Sequence, residues 1–186
     1  MPTTLDVVIP VLNEERALAA SIGTLHTYLS ENLDAYEWRI LVADNGSTDS
    51  TPDVCGVLSE EFSDVTYIRL EQRGRGRALK KAWMESAADI VCYMDVDLST
   101  GLDALPELVA AFESREYDLA IGSRLARGAE VRGRTLKREF ISRTYNLLIR
   151  AMFFTAFRDA QCGFKAASRR VVTDLAPLAV DNGWFF

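Results

Sequence analysis

Short apolar, β-branched runs recur along this chain, and segments with helical spacing separate them. Residues 5–11, 38–43, 65–70, 90–94 and 118–121 read as five strands. The first is rich in β-branched residues (Val7, Val8, Ile9 and Val11), as expected of a strand buried on both faces, and should end at Pro10, which cannot donate to a ladder. Four helical patterns fill the gaps. One runs from about residue 13 to 29, with Ile22, Leu25 and Leu29 inward; another covers 102–112, with Leu105, Leu108 and Phe112 inward. This alternation calls for an α/β fold with a mainly parallel sheet. The chain has 186 residues, 48% of them hydrophobic, enough for one domain with its own core.

The run 90–94 leads into two carboxylates one residue apart, Asp95 and Asp97. A buried strand that stops in two acids sets them at the sheet edge where open α/β folds keep their ligand crevice. Hard oxygen ligands there suit Mg²⁺ or Mn²⁺ bridged to phosphate oxygens. The same acids could instead begin a turn or cap the next helix. Asp44, at the exit of the second strand, reads either as a turn acid or as an acceptor for a base or ribose hydrogen bond. In the stretch 72–78, Gly74 and Gly76 alternate with Arg73, Arg75 and Arg77. Two glycines would let the backbone approach an anion at the start of the following helix. A basic surface turn is the alternative. A dinucleotide fingerprint is excluded, because the stretch follows the third strand and lacks the third glycine.

The net charge of −6 and a pI near 4.9 argue against general nucleic-acid binding. Between Arg124 and Arg150, however, eight basic residues stand against two acids, which suggests a local anionic partner. Residues 136–157 have a helical pattern, with Ile141, Tyr145, Leu148 and Met152 on one stripe and Phe153, Phe154 and Phe157 near the end. A basic, aromatic, amphipathic helix suits a membrane interface, and equally a core helix with solvated arginines. Cys55, Cys92 and Cys162 form neither a disulfide framework nor a zinc pattern, which points to a reducing compartment. The single histidine, His26, sits mid-helix and reads as structural. No apolar run approaches the roughly 20 residues that span a bilayer. The closing Trp184, Phe185 and Phe186 read as a chain cut within an element.

Six pieces occur in a telling order: the run from Val7 through Pro10 to Glu15, Asp44 to Asp49, Gly74 to Gly76, Asp95 to Asp97, Gly122 to Arg124, and Asp159 to Lys165. Together they resemble a family 2 glycosyltransferase of the GT-A fold, in the polyprenyl-phosphate (dolichyl-phosphate) hexosyltransferase branch. Gln161, Cys162, Gly163, Phe164 and Lys165 resemble the glucosyl members more than the mannosyl ones. The resemblance implies a nucleotide-sugar donor, UDP favoured over GDP, and a nucleoside pocket lined by Pro10, Leu12, Asn13, Glu14 and Asp44. Leu12 replaces the aromatic residue often found there. Asp95 and Asp97, with Val96 between them and Ser99 close behind, would hold the metal and the diphosphate. Gly74, Arg75 and Gly76 would lie against the same donor. Arg124, Arg138 and Ser142 match residues that hold the acceptor phosphate, so Arg124 joins Asp95 and Asp97 as a catalytic candidate. The family implies work on the cytoplasmic side of a membrane, with further helical or membrane-embedded parts beyond such a domain.

The chemistry suits this chain. A phosphate acceptor is already ionised near neutral pH, so it needs positioning and charge neutralisation rather than a strong base. A saccharide acceptor would want a base, and Asp159 is the acid available. A non-catalytic nucleotide-sugar-binding module is the third reading.

Overall fold

A computed structural model describes residues 2–114, 116–123, 136–155, 159 and 162–183, with the side chains of 136–140 excepted. The elements run β1 (Thr3–Val11), α1 (Leu18–Asn32), β2 (Tyr36–Asp44), α2 (Thr51–Glu61), β3 (Val65–Arg69), α3 (Arg75–Glu85), β4 (Ile90–Tyr93), α4 (Ala104–Ala110), β5 (Leu119–Ile121), α5 (Leu136–Phe153), β6 (Lys165–Ser168) and α6 (Arg169–Leu175), then a 3₁₀ turn (Ala176–Leu178). The sheet order is β3-β2-β1-β4-β6-β5. β1 pairs in parallel with β2 and β4, and β2 with β3. β6 is antiparallel to both β4 and β5. β5 therefore runs parallel to β4 but is separated from it by a reversed strand. β6, a strand beyond the five runs read above, starts at Lys165, where Ala166 and Ala167 fit between two neighbours.

Strand alternation sorts the core into two layers. Leu5, Val7, Ile9 and Val11 of β1 pack with Leu18, Ile22, Leu25 and Leu29 of α1 and with Leu105 and Leu108 of α4. Val8, Leu41 and Val91 pack on the other face against Ala78, Leu79, Ala82 and Trp83 of α3 and Val172 of α6. Asp6 shares that second face at the far end of β1. It is buried and accepts from Arg39 Nε (3.0 Å) and Ser86 Oγ (2.6 Å), as a buried acid must. His26 is structural: its ring lies edge-on to Trp38 and tilted on Phe62, with Nε2 3.7 Å from Asp64. All three cysteines are buried thiols, and none is in a disulfide.

Among the boundaries that differ from the sequence expectation, two do so for a clear local reason. β1 continues through Pro10 to Val11. The Met94 N–H donates to the Val8 carbonyl, so alternate residues of β1 aim their backbone groups at β4. Pro10 is next in that set and lies past Val8↔Tyr93, the last registered pair. Its missing N–H therefore costs no ladder bond. The first helix starts at Leu18 rather than near 13, because the intervening backbone is held by the loop after β2. The Asn13 N–H donates to Ser47 Oγ, Glu14 N–H to Thr51 Oγ1 and Glu15 N–H to Asp49 Oδ2. Asn13 takes a positive φ of 57° to make this bend, a conformation asparagine tolerates.

Candidate active site at the carboxyl edge of the sheet

The carboxyl ends of β1, β2 and β4 open onto a cavity of about 520 Å³. Pro10, Leu12 and Glu14 line it from the β1 exit, and Asn45 from the β2 exit. Asp95, Val96 and Asp97 come from the β4 exit, and Gly74 and Arg75 from the start of α3. The β4 exit is a tight turn. Leu98 adopts φ +49° and donates its N–H to the Asp95 carbonyl (3.0 Å), while Ser99 N–H donates to Asp97 Oδ1 (3.0 Å). This turn presents Asp97 to solvent and leaves Asp95 half-buried beneath it.

Asp95 Oδ1 accepts from the Arg75 guanidinium, which also lies 5.7 Å from the centre of the Tyr93 ring. Burial pushes the Tyr93 phenol up to about 12, against the opposing charge of Arg75. The other face of Asp95 rests on Gly163, where a Cβ would fall 2.5 Å from Asp95 Oδ2. Only glycine permits that approach. Two acids at one edge, one exposed and one braced by an arginine, make a hard-oxygen site beside a positive charge. Among the described residues no group of three or more His, Cys, Asp or Glu side chains could hold a metal ion. Two carboxylates nevertheless fit Mg²⁺ or Mn²⁺, which commonly take one or two acids and complete their shell with phosphate oxygens and water.

Residues 6–175 match Glycosyl transferase family 2. The chain belongs to this family. It is 37% identical over 183 residues to Glycosyltransferase AglD of Haloferax volcanii, covering 98% of this chain and 29% of that protein. It is 26% identical over 200 residues to the dolichyl-phosphate beta-glucosyltransferase of Saccharomyces cerevisiae, covering 98% of this chain and 60% of the other. The chain thus spans less than two thirds of the length of each of these relatives. Its fold is GT-A-like. It superposes with a TM-score of 0.65, at 27% identity, on glucosyl-3-phosphoglycerate synthase from Mycobacterium tuberculosis in complex with Mn²⁺ and UDP-glucose, covering 93% of this chain and 58% of that one. The mannosyltransferase PcManGT from Pyrobaculum calidifontis, in complex with GDP-Man and Mn²⁺, shares the fold at 21% identity and TM-score 0.62, covering 92% of this chain and 46% of its own.

Within this family 2 domain, the sequence-derived donor residues Pro10, Leu12, Glu14, Gly74, Arg75, Asp95, Val96 and Asp97 converge on one cavity. Four others have different placements. Asp44 is fully buried; its oxygens accept from the Ser47 N–H and the Tyr67 hydroxyl, with Arg69 Nε 3.7 Å away. Asn45 lines the cavity in its place, with its side-chain oxygen accepting from the Gly74 N–H. Asn13 clasps the β2 exit loop, accepting from the Thr48 N–H (2.8 Å), instead of lining the cavity. Ser99 supports Asp97 from behind through its N–H. Gly76 lies at the start of α3, but its N–H already donates to the Gly183 carbonyl (2.7 Å) and Arg77 N–H to that of Asn182 (3.3 Å). This corrects the expectation of an open anion site there.

Of the acceptor residues, Arg124 and the side chain of Arg138 lie outside the described residues. Ser142 is half-buried on α5, one turn beyond Arg138, and its carbonyl accepts from Asn146 Nδ2 (2.9 Å). Asp159 is 2% exposed and does not line the cavity, which makes it a poor base for a saccharide hydroxyl. Lys165, opposite Tyr93 in the ladder, was not anticipated as part of this layer. Burial pulls its ammonium pKa down, nearby Cys162 opposes this, and Arg75 adds to it.

Replacing Gly163 by alanine should therefore displace the Asp95 carboxylate while disturbing little else, since the contacting atoms belong to one side chain. We expect the affinity for UDP with Mn²⁺ to fall about ten-fold, and stability to change by less than about 1 kcal/mol. Calorimetric titration beside a thermal melt checks both; unaltered affinity would mean that the position of Asp95 is immaterial to the donor.

Proposed function

We propose that this domain transfers a hexose, glucose favoured, from UDP-sugar to a polyprenyl or dolichyl phosphate, with a divalent metal and inversion at the anomeric carbon. The observation that carries this reading is the convergence of Asp95, Asp97 and Arg75 with Pro10, Leu12 and Glu14 on one cavity. The complex of the M. tuberculosis neighbour with Mn²⁺ and UDP-glucose supports the metal and the donor. The name of the yeast relative, dolichyl-phosphate beta-glucosyltransferase, supports the lipid phosphate and glucose.

In this scheme Asp97, exposed at the turn, is the principal metal ligand, and Asp95 holds Arg75 beside the diphosphate. When bound, the cation supplies Lewis-acid neutralisation of the nucleoside diphosphate leaving group. Pro10 and Leu12 offer apolar surface to the nucleoside, and Asn45 and Glu14 offer polar groups. Arg124, Arg138 and Ser142 receive the acceptor phosphate. The acceptor oxygen attacks in line, with no base required, and the sugar inverts. The apolar side chains of α5 support work at a lipid surface. Ile141, Leu147, Leu148, Met152 and Phe153 are exposed, and Asn146 is the buried residue among the described side chains of this helix. A helix that shows its apolar side outward is placed for an interface. Among the described residues no helix is long and apolar enough to cross a membrane.

Competitive binding of UDP-glucose and GDP-mannose in the presence of Mn²⁺ tests the donor assignment. A preference for UDP-glucose of about ten-fold or more, about 1.4 kcal/mol, is expected. A clear preference for the guanosine nucleotide would overturn it.

A further inference from the structure

Beyond the 3₁₀ turn, residues 179–183 fold back over the start of α3. Lys80 Nζ donates to the Ala179 carbonyl (2.9 Å) and reaches that of Pro177 (3.4 Å). The Gly76 and Arg77 N–H groups, free at a helix start for want of intrahelical partners, donate to Gly183 and Asn182. Gly183 N–H closes on Asp181 Oδ1 (2.8 Å). The fit is close: a Cβ on Gly76 would lie 3.0 Å from the Asp181 carbonyl oxygen and 3.2 Å from that of Gly183. Gly183 lines the same cavity as Asp95 and Asp97.

We infer that residues 179–183 form a wall of the donor cavity, that Lys80 and Gly76 seat this wall, and that its seating is a condition of binding the nucleoside diphosphate. The inference rests on the donor reading of that cavity. It assigns the positive end of α3 to protein carbonyls rather than to phosphate, which leaves the Arg75 side chain as the cationic group that α3 offers the diphosphate. Gly76 is then a glycine because a backbone strand lies on it, and Lys80, which does not line the cavity, is a positioning residue.

The test combines UDP titration in Mn²⁺ with amide hydrogen exchange on Lys80→Ala, Lys80→Arg and Gly76→Ala. Lys80→Ala should speed exchange at the Gly76 and Arg77 amides and weaken UDP about five-fold. Lys80→Arg, which keeps donors for the carbonyls, should restore both. Gly76→Ala should weaken UDP about ten-fold or more. Faster exchange with unaltered UDP affinity in Lys80→Ala would overturn the inference, as would exchange that stays slow. Failure of the unmodified chain to bind UDP would overturn the donor reading itself, and is distinguishable because it precedes any substitution.

Discussion

Replacing Asp97 by alanine is expected to lower the affinity for UDP in the presence of Mn²⁺ about 100-fold, a loss of about 2.7 kcal/mol. Asp97 is exposed at the cavity, and among the described residues its carboxylate accepts from the Ser99 N–H. Its removal should therefore leave stability within about 0.5 kcal/mol of the parent. Asp95→Ala should cost the donor less, about ten-fold, because Asp95 is already engaged by Arg75 and contributes by holding that guanidinium. It should cost stability more, since the substitution removes the partner of a half-buried arginine. Titrations with Mn²⁺ and with EDTA separate metal-dependent from metal-independent binding. Equal UDP affinity in Asp97→Ala and the parent would sink the metal assignment. The reverse ranking of the two variants would move the metal to Asp95.

The second large effect is expected at the acceptor. Arg138 belongs to α5, one turn before Ser142, so the two lie on one helix face. β5, which leads toward Arg124, runs parallel to β4, so its carboxyl end lies at the same sheet edge as Asp95 and Asp97. Charge-assisted bonds to a phosphate contribute roughly 1.5–3 kcal/mol each. In a form of the protein that carries its full acceptor machinery, Arg138→Ala should raise KM for polyprenyl phosphate about ten-fold or more. The Kd for UDP should stay near its parent value, since among the described residues none of α5 lines the donor cavity. If KM for the lipid phosphate does not move, the basic segment is not the acceptor site and the polyprenyl-phosphate reading loses its main physical support.

Much of this arrangement is local in origin, and local features can be read from residue order. Leu5, Val7, Ile9 and Val11, with Val8 between them on the opposite face, announce a strand buried on both faces, and Ile22, Leu25 and Leu29 announce the inward stripe of α1. The acids Asp95 and Asp97 follow an apolar run, so their place at the sheet edge follows from where the strand must stop. The family assignment likewise rests on six short pieces in order, and the match over residues 6–175 agrees with it.

Tertiary structure decided what depends on partners distant in sequence. Periodicity shows that a strand exists but not which neighbours it takes, so the reversed β6 between β4 and β5 had no local signature. Asp44 and Asn45 are adjacent acceptors at one strand end. Only the packing of Tyr67 and Arg69 onto Asp44 seals it and leaves Asn45 facing the cavity. Gly163 marks a close approach, but nothing in its neighbourhood says that the approaching group is Asp95, 68 positions earlier. The N–H groups at the start of α3 attract oxygen, and a carbonyl satisfies them as well as a phosphate does. Sequence therefore determined that Gly76 and Arg77 would meet an acceptor. The fold decided that the acceptors are Gly183 and Asn182, more than 100 residues away, because β6 and α6 carry the chain back across the sheet to that spot.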